Sequence, residues 1–573
     1  MSTSRRDFLK TVGAAGVIVA GSDLIADLLA QTPPGRVMES KFKGLSDIAL
    51  KEAKTLGCSY ADIRFTRATN SGVNATGGNP VPGSEDAFGG FGGGGGRGGG
   101  RGGGGFGGGG FGGGGFGGGG FGGGGGGRGR NGGGGRVGAA GFGVRVIHSG
   151  TWGFASSPIV TEDEIHRITR LAAEVARASA IAKKTDVKLA PVQGYQAFWA
   201  TTVQKDPDSI PREAKQEFVQ KVVDAVVKNK SVQNVNVSVQ INYEWKYFAS
   251  SEGSYIEQES WFTNPNFSVT ARKDDVVRTR TFSAVPKGGG WEVAEDAKML
   301  ENAERIAAEA VEFTTARPVD MGVKDLVLTP SHAMLTIHEI VAHATELDRI
   351  MGYEANYAGT SFVKISDIGK LKYGSKLFNV TADKTIPGGL GTVGYDDDGV
   401  KTTKFPIVRD GILVGLMTNR ETAHYINEKE SRGCTYASSW RDYPFLRMAN
   451  VHVEPGGPGS PTPEEIIADT KDGVLIDGRG SYSIDQQRYN GQFGGNAFWE
   501  IKNGKKTRMV TNVTYNAITT DFWANLDAIS GQESWEMHGT GGDAKGQPTQ
   551  TNSISHGSPY LRIKKTMVGA AYA

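Results

Sequence analysis

The runs NVNVSVQINYEW (residues 234–245), YIEQESWF (255–262), FSVTARK (267–273) and VVRTRTFSAV (276–285) alternate apolar and polar side chains. A period of two is the pattern of a strand with one face on a core. Turn-forming Gly, Asn and Asp separate the runs. The stretch therefore reads as an antiparallel meander.

Outward from it the periodicity becomes helical. Residues 161–184, 212–228 and about 292–315 carry apolar positions three and four apart, as does ESKFKGLSDIALKEAKTL at 39–56. Tyr60 to Thr69 alternate again. Gly141 to Ser149, GFGVRVIHS, form a further strand running into Gly153-Phe154-Ala155. After Arg317-Pro318 the chain is mostly short strands and loops, with one helix near 331–350. The expected fold class is α+β: an N-terminal α/β region with an antiparallel sheet, then a mostly β C-terminal domain carrying one helix. The expected boundaries are 37–157, 158–318 and 319–573.

Between the strands at 60–69 and 141–149 lies a glycine-rich insert. The chain has 573 residues and 87 glycines, yet residues 89–135 hold 37 glycines in 47 positions. The remainder is ordinary in composition, so the excess belongs to one loop, taken as 87–137, in an enlarged hairpin. It has no G-X-Y period, which excludes a collagen reading. A GGGGF rhythm places Phe106, Phe111, Phe116 and Phe121 five apart, flanked by Arg97, Arg101, Arg128, Arg130 and Arg136. Two readings follow: repeat expansion at a tolerant hairpin tip, or polyanion binding by arginine and stacked phenylalanine.

The charge balance is +2, with 38% hydrophobic residues. That excludes a globally disordered chain and gives no reason to expect nucleic acid as partner. Residues 4–10, SRRDFLK, precede a short apolar run from Thr11 to Ala20. Paired arginines before a weakly hydrophobic stretch resemble a twin-arginine export signal over residues 1–30, so a periplasmic or extracytoplasmic location is expected. No stable membrane span is expected, because the run is too short. The two cysteines, Cys58 and Cys434, form no CxxC pair and read as independent small apolar residues.

The chemistry concentrates in His338-Glu339-Ile340-Val341-Ala342-His343. Two histidines with an adjacent glutamate suggest a zinc site with a built-in general base. On an ideal helix, residues five apart lie about 140° apart around the axis. A shared metal then requires a π-bulge, or a helix ending near His343. Glu346, three residues on, is a candidate further ligand or a partner that orients a ligand histidine. Thr329-Pro330 supplies the helix start.

HEIVAHATELD resembles the HExxxH motif of the TldD/PmbA family of zinc metallopeptidases. Four more stretches match that family in order: GVRV (143–146) with GFA (153–155); GYDDDGV (394–400) with RDGIL (409–413); RDYPFLRMAN (441–450); and SHGSP (555–559). The resemblance implies a zinc peptidase, with His338 and His343 as ligands and Glu339 as the base that activates water. It implies a homodimer, or a heterodimer with a PmbA-like partner, enclosing a cavity for short or unfolded peptides. The C-terminal β-rich domain would then be the catalytic one. The family's third ligand is a cysteine opening a CGKGQP-like stretch. Here DAKGQP (543–548) puts Asp543 at that position, and zinc accepts a carboxylate oxygen. His538 is the rival third ligand, with Cys434 behind it. Arg441, Arg447 and the acids Asp396–Asp398 are candidates either for positioning substrate or for pairing with one another. The altered cysteine position leaves an alternative: a non-catalytic relative acting as an assembly, peptide-binding or polyanion-binding subunit.

Overall fold

Three long strands, Tyr60–Gly77, Val232–Ser250 and Tyr255–Lys273, lie side by side and antiparallel in the computed structural model. The structure describes residues 37–38, 40–79 and 139–570; the signal-like segment and the glycine-rich stretch 89–135 lie outside the described residues. The alternation read from the sequence is the alternation of burial. Val235, Val237, Val239 and Ile241 are buried, whereas Asn234, Asn236 and Gln240 are exposed. The strands run in the order Thr151–Ser157, Ala139–His148, Tyr60–Gly77, Val232–Ser250, Tyr255–Lys273 and Gln196–Ala200. Val276–Phe282 and Lys287–Gly288 add to Tyr255–Lys273. One sheet therefore spans the segments read as N-terminal and central.

Helices Lys41–Thr55 and Glu162–Ser179 pack at one end of the long strands. Arg212–Val226 and Met299–Phe313 pack at the other, around a second core. Glu162–Ser179 shows why such segments are helical. Thr161 accepts the Glu164 N–H as a cap, three acids occupy the first turn, and Ile165, Ile168, Ala172, Ala173 and Ala176 form the buried stripe. Gly153 permits the contact with the sheet, since a Cβ there would meet the Ala172 carbonyl at 1.9 Å. The helix expected over 292–315 is instead two helices, Glu292–Asp296 and Met299–Phe313. The Glu292 carboxylate is held by backbone N–H groups of Gln204, Lys205 and Gly290. Lys298 then turns left-handed (φ 53°) and breaks the ladder.

The C-terminal region is built on a ten-stranded sheet. Gly322–Leu328 lies inside it, parallel to Asp472–Asp477 and antiparallel to Leu561–Ala570. The helix Pro330–Ile337 follows, and every one of its residues is buried. Thr329 sits at the cap position, but its hydroxyl does not cap. It bonds Asp477 Oδ1 at 2.9 Å, as does Ser331 at 2.6 Å, while the Thr329 carbonyl accepts from His332 and Ala333. Arg280 and these hydroxyls outweigh burial and hold the Asp477 carboxyl at about 2. His332 ties the same helix to Gly478 O (2.9 Å) and to the Tyr515 hydroxyl (2.7 Å).

Buried ion pairs join the two halves. Arg145 bridges Asp62 (2.7 Å) and Asp398 (2.6 Å), and Lys246 meets Asp397 at 3.0 Å. Asp396 accepts the backbone N–H groups of Asp398, Val400 and Thr435. The acidic run is thus a structural joint, and its partners are Arg145 and Lys246 rather than Arg441 or Arg447.

Burial pushes the His332 imidazole down to about 4. The unfolded chain, with an ordinary histidine near ~6.5, takes up that proton first. The stabilisation is therefore full above pH ~6.5 and is lost as pH falls toward 4, by roughly 3 kcal/mol. Urea unfolding of wild type and His332→Gln between pH 7.5 and 4.5 checks this. The variant starts less stable and has the shallower pH slope; parallel slopes would remove His332 from the acid response.

Candidate metal centre

The helix that begins at Pro330 changes its winding at the histidines. His338–Ala342 form a π turn, and the His343 N–H donates to the His338 carbonyl, five residues back. An i→i+5 turn widens the winding and brings residues five apart back toward one face. The 140° divergence of an ideal helix is sharply reduced, and the two imidazoles meet with ring centroids 4.6 Å apart. Side chains supply donors to the widened turn: the Tyr373 hydroxyl to Ile340 O (2.7 Å) and Thr345 Oγ1 to Val341 O (2.9 Å). After His343–Thr345 the helix stops, because Glu346 is extended (ψ 117°).

The third member comes from the hairpin Glu536–Lys545 and Gln550–Ser558. Its register shifts between Thr540 and Asp543. Asp543 Oδ1 lies 3.4 Å from His338 Nε2 and 3.4 Å from His343 Nε2. The three donor atoms all fall within 4.8 Å of one another, and all three residues are buried. Zinc binds N and O at about 2.0–2.2 Å, and a tetrahedron on such bonds has edges of roughly 3.3–3.5 Å. Two edges of this cluster have that length, so the donor set fits zinc.

The surrounding hydrogen bonds decide which atoms are free. The Val451 carbonyl can only accept, so His556 Nδ1 donates to it (2.9 Å). Burial, followed by the nearby His338, holds the His556 imidazole well below its ordinary value, hence neutral. Its Nε2 therefore accepts, and His338 Nδ1 is the donor to it (2.8 Å). In the neutral ring this leaves the His338 Nε2 lone pair for a ligand. His343 Nδ1 lies 2.9 Å from Glu346 Oε2. Burial pushes that carboxyl up, but Lys545, His343 and Arg349 outweigh it and keep Glu346 ionised. His343 Nδ1 is accordingly the donor, and its Nε2 is free. Arg447 Nη2 takes Asp543 Oδ2 at 2.7 Å and Asp543 O at 2.6 Å. Against the cost of burial, Arg447 and His343 hold the Asp543 carboxyl well below the usual range.

Glu339 is also buried. Burial raises its carboxyl, but Arg488, His338 and His343 together bring it below the ordinary value. Its Oε2 meets Arg488 Nη1 at 2.5 Å.

Of the residues singled out from sequence, His338, Glu339, His343, Glu346, Arg447 and Asp543 come together here. His538 does not: its Nε2 bonds Glu536 at 2.9 Å, and it lines a separate cleft beside Ser331 and Tyr560. Cys434 is buried with its thiol pushed up to about 12 by burial, and its Sγ faces the Arg432 carbonyl. Arg441 is exposed in the turn ahead of the cluster. Sequence reading missed the roles of His556, Lys545 and Arg488. The first two lie inside quoted motifs, SHGSP and DAKGQP, which carried the signal; Arg488 lies in none.

Known proteins resemble this chain in sequence and fold. Models of the PmbA/TldA metallopeptidase family match residues 134–182 (domain 1), 205–317 (central domain) and 322–570 (C-terminal domain). A protein of Methanocaldococcus jannaschii named as a metalloprotease is 27% identical over 397 residues, 68% of this chain and 84% of its own. A protein of Saccharolobus solfataricus named zinc metalloprotease TldD homolog is 22% identical over 438 residues, 75% of this chain and 90% of its own. The crystal structure of TldE from Thermococcus kodakarensis superposes with a TM-score of 0.61 at 15% identity, over 91% of this chain and 99% of that one. A Thermotoga maritima structure described as a candidate modulator of a DNA gyrase gives 0.65 at 14% identity, over 92% and 100%. At those identities the two structures speak for the fold. Three consecutive domains of one family, in order and over well more than half the length, make this chain a member of the PmbA/TldA metallopeptidase family.

Proposed function

We propose that the chain is an exported, zinc-dependent metallopeptidase that hydrolyses short or unfolded peptides. The observation that carries this reading is the convergence of His338 Nε2, His343 Nε2 and Asp543 Oδ1 beside the Glu339 carboxylate. His338, His343 and Asp543 would hold the zinc, which when bound supplies Lewis-acid polarisation and a more acidic water. Glu339, held ionised, is the general base: it takes the proton of the attacking water and delivers it to the leaving amine. His556 and Glu346 fix the two imidazole planes, and Arg447 fixes the carboxylate. The relatives named as metalloproteases support the reaction class. Export rests on Arg5-Arg6 and the apolar run after them. Assembly as a pair, either of two copies or with a PmbA-like partner, is carried over from the motif resemblance alone. Among the described residues no helix is long and apolar enough to cross a membrane.

The rival reading, a non-catalytic subunit, is motivated by aspartate at the family's cysteine position. Zinc content of the purified chain decides between them. Wild type is expected to hold about one zinc and His538→Ala to retain it, whereas Asp543→Ala loses it along with one of three protein ligands. A wild type that takes up no zinc after addition favours the subunit, and loss in His538→Ala would reassign the third ligand.

Glu339→Gln should keep its zinc and lower kcat by about 10²–10⁴-fold, the span of general-base catalysis. Peptide hydrolysis with matched metal content measures it. Undiminished turnover would end the assignment of Glu339.

A further inference from the structure

Four lysines are buried among the described residues: Lys246, Lys324, Lys384 and Lys545. Three of them are paired. Lys246 meets Glu244 and Asp397, Lys324 meets Asp472, and Lys545 meets Glu346 and Asp348, all between 2.9 and 3.3 Å. Lys384 is 4% exposed, and among the described residues its Nζ has neither a hydrogen bond nor an ion pair. A buried charge without a partner is costly. The nearest acid is no help: Asp396 senses the Lys384 charge, but its carboxylate is spent on the N–H groups of Asp398, Val400 and Thr435. Lys384 Nζ also differs from enclosed, unbonded atoms such as Arg447 Nε and His452 Nδ1, because it keeps contact with solvent.

Lys384 stands in the wall of a cleft of about 270 Å³ between the long strands and the hairpin Glu536–Ser558. It also lines a hollow of about 10 Å³, room for about one water, that shares Glu244, Ser260 and Tyr436 with the cleft and forms its floor. Lys384 is the one cation in the lining of the cleft. Glu244 is the one acid, and it is already paired with Lys246. The backbone that carries the lysine is fixed just past the strand Val380–Asp383. Its N–H donates to Thr403 O (3.3 Å), and its carbonyl accepts from Val393 (3.2 Å). Asp383 Oδ1 holds the next residue through the Thr385 N–H (2.7 Å) and hydroxyl (2.6 Å). A cation held ahead of its ligand lowers the entropy cost of binding.

The cleft adjoins the metal centre. Gly541, in its lining, is two residues from Asp543. Asn552, also in its lining, is the cross-strand partner of Asp543, and its amide oxygen accepts from the same Arg447 that holds Asp543. Two residues of strand span about 7 Å, and an extended peptide advances at the same rate. A peptide crossing the metal therefore presents to the cleft a group about two or three residues from the cleaved bond. One unpaired cation matches one negative charge. A phosphate carries nearly two, and the excess would face Glu244; a carboxylate carries one, and takes charge-assisted bonds from an ammonium and from neutral donors together.

We propose, resting on the peptidase reading above, that this cleft is a substrate subsite and Lys384 its specificity residue, binding a carboxylate carried by the peptide, either the free C-terminus or an acidic side chain.

The probes are short unstructured peptides of one sequence with a dye at the N-terminus. One is uncharged and C-terminally amidated, one has a free C-terminal acid, and the rest are amidated with glutamate at each position in turn. Binding is read by fluorescence polarisation on zinc-loaded Glu339→Gln, so that the probes stay intact. The free acid, or the glutamate peptide of one register, should bind about 10–100-fold more tightly than the uncharged one, the size of a hydrogen bond between charged groups; which of them does so names the source. Adding Lys384→Met should bring that ratio to about one with zinc content unchanged, and Lys384→Arg should keep it above one. The melting temperature of Lys384→Met should not fall, since the change deletes an unpaired buried charge. Reductive methylation of wild type reads the same contact without a substitution: the tight peptide should protect Lys384, and the uncharged peptide should not. Equal affinity for all the peptides overturns the subsite, as does a protection pattern that ignores the carboxylate. A lower melting temperature with an unmoved ratio also overturns it, and assigns Lys384 to the acidic joint. Zinc-loaded wild type that cleaves every peptide alike overturns the subsite and leaves the peptidase reading standing. Selective binding without any cleavage keeps the carboxylate site and overturns the peptidase reading.

Discussion

The site depends on one backbone hydrogen bond, from the His343 N–H to the His338 carbonyl. It closes a turn of five residues where an α-helix would close one of four. The spacing HExxxH has no common face on an α-helix; on the widened turn it has one. The turn is bought with backbone bonds of the ordinary ladder, so it lasts only where its carbonyls find other donors. Tyr373 and Thr345 provide them. Complete burial of Pro330–Ile337 and of the turn itself removes water as a competitor. The spacing of the two histidines and the packing around it therefore form one requirement.

Buried charge is the second constraint, and it explains how the aspartate at 543 turns a single oxygen toward the histidines. A thiolate offers one donor atom and one negative charge; a carboxylate offers the same charge on two atoms. Arg447 occupies Oδ2, so Oδ1 alone faces the histidines. The side chain thereby presents a single oxygen to the two imidazoles. The same economy governs the neighbours. Lys545, fully buried, gives its three donors to Glu346, Asp348 and the Leu446 carbonyl. Without that cation, two buried carboxylates two residues apart in the chain would repel, and one would take up a proton. Glu346 keeps its charge, and through it His343 keeps its tautomer.

The sequence carried much of this. Alternation over 234–285 gave the antiparallel strands, because each side chain reports one face of the sheet. His338, Glu339, His343 and Asp543 were legible as residue types with known chemistry, and the need for either a π turn or a helix ending near His343 followed from spacing alone. Three things were not legible, each because it depends on contacts distant in the chain. The break at Lys298 follows from Glu292 being captured by a loop near residue 205. The acids at 396–398 meet Arg145 and Lys246, about 150 to 250 residues away, and no local pattern encodes that pairing. Arg488 reaches Glu339 from a loop 149 positions downstream, where it carries no motif.

The glycine-rich insert also makes physical sense in this frame. The strands on either side of it remain partners, with Ala68 opposite Ala139, so the excursion leaves and rejoins the same pair. The entropy of closing a loop grows only with the logarithm of its length, and each doubling adds about 0.6 kcal/mol. Registers fixed on both neighbours of Tyr60–Gly77 outweigh such an increment. Ala68, Thr69 and Asn70, where Ala139–His148 leaves that strand, also line a cleft closed on its far side by Gly541 and Asn552. Asn552 is the hairpin partner of Asp543. The chain thus re-enters the described sheet at Ala139, beside a cleft that the Asp543 hairpin also lines, while the outgoing strand runs on to Gly77.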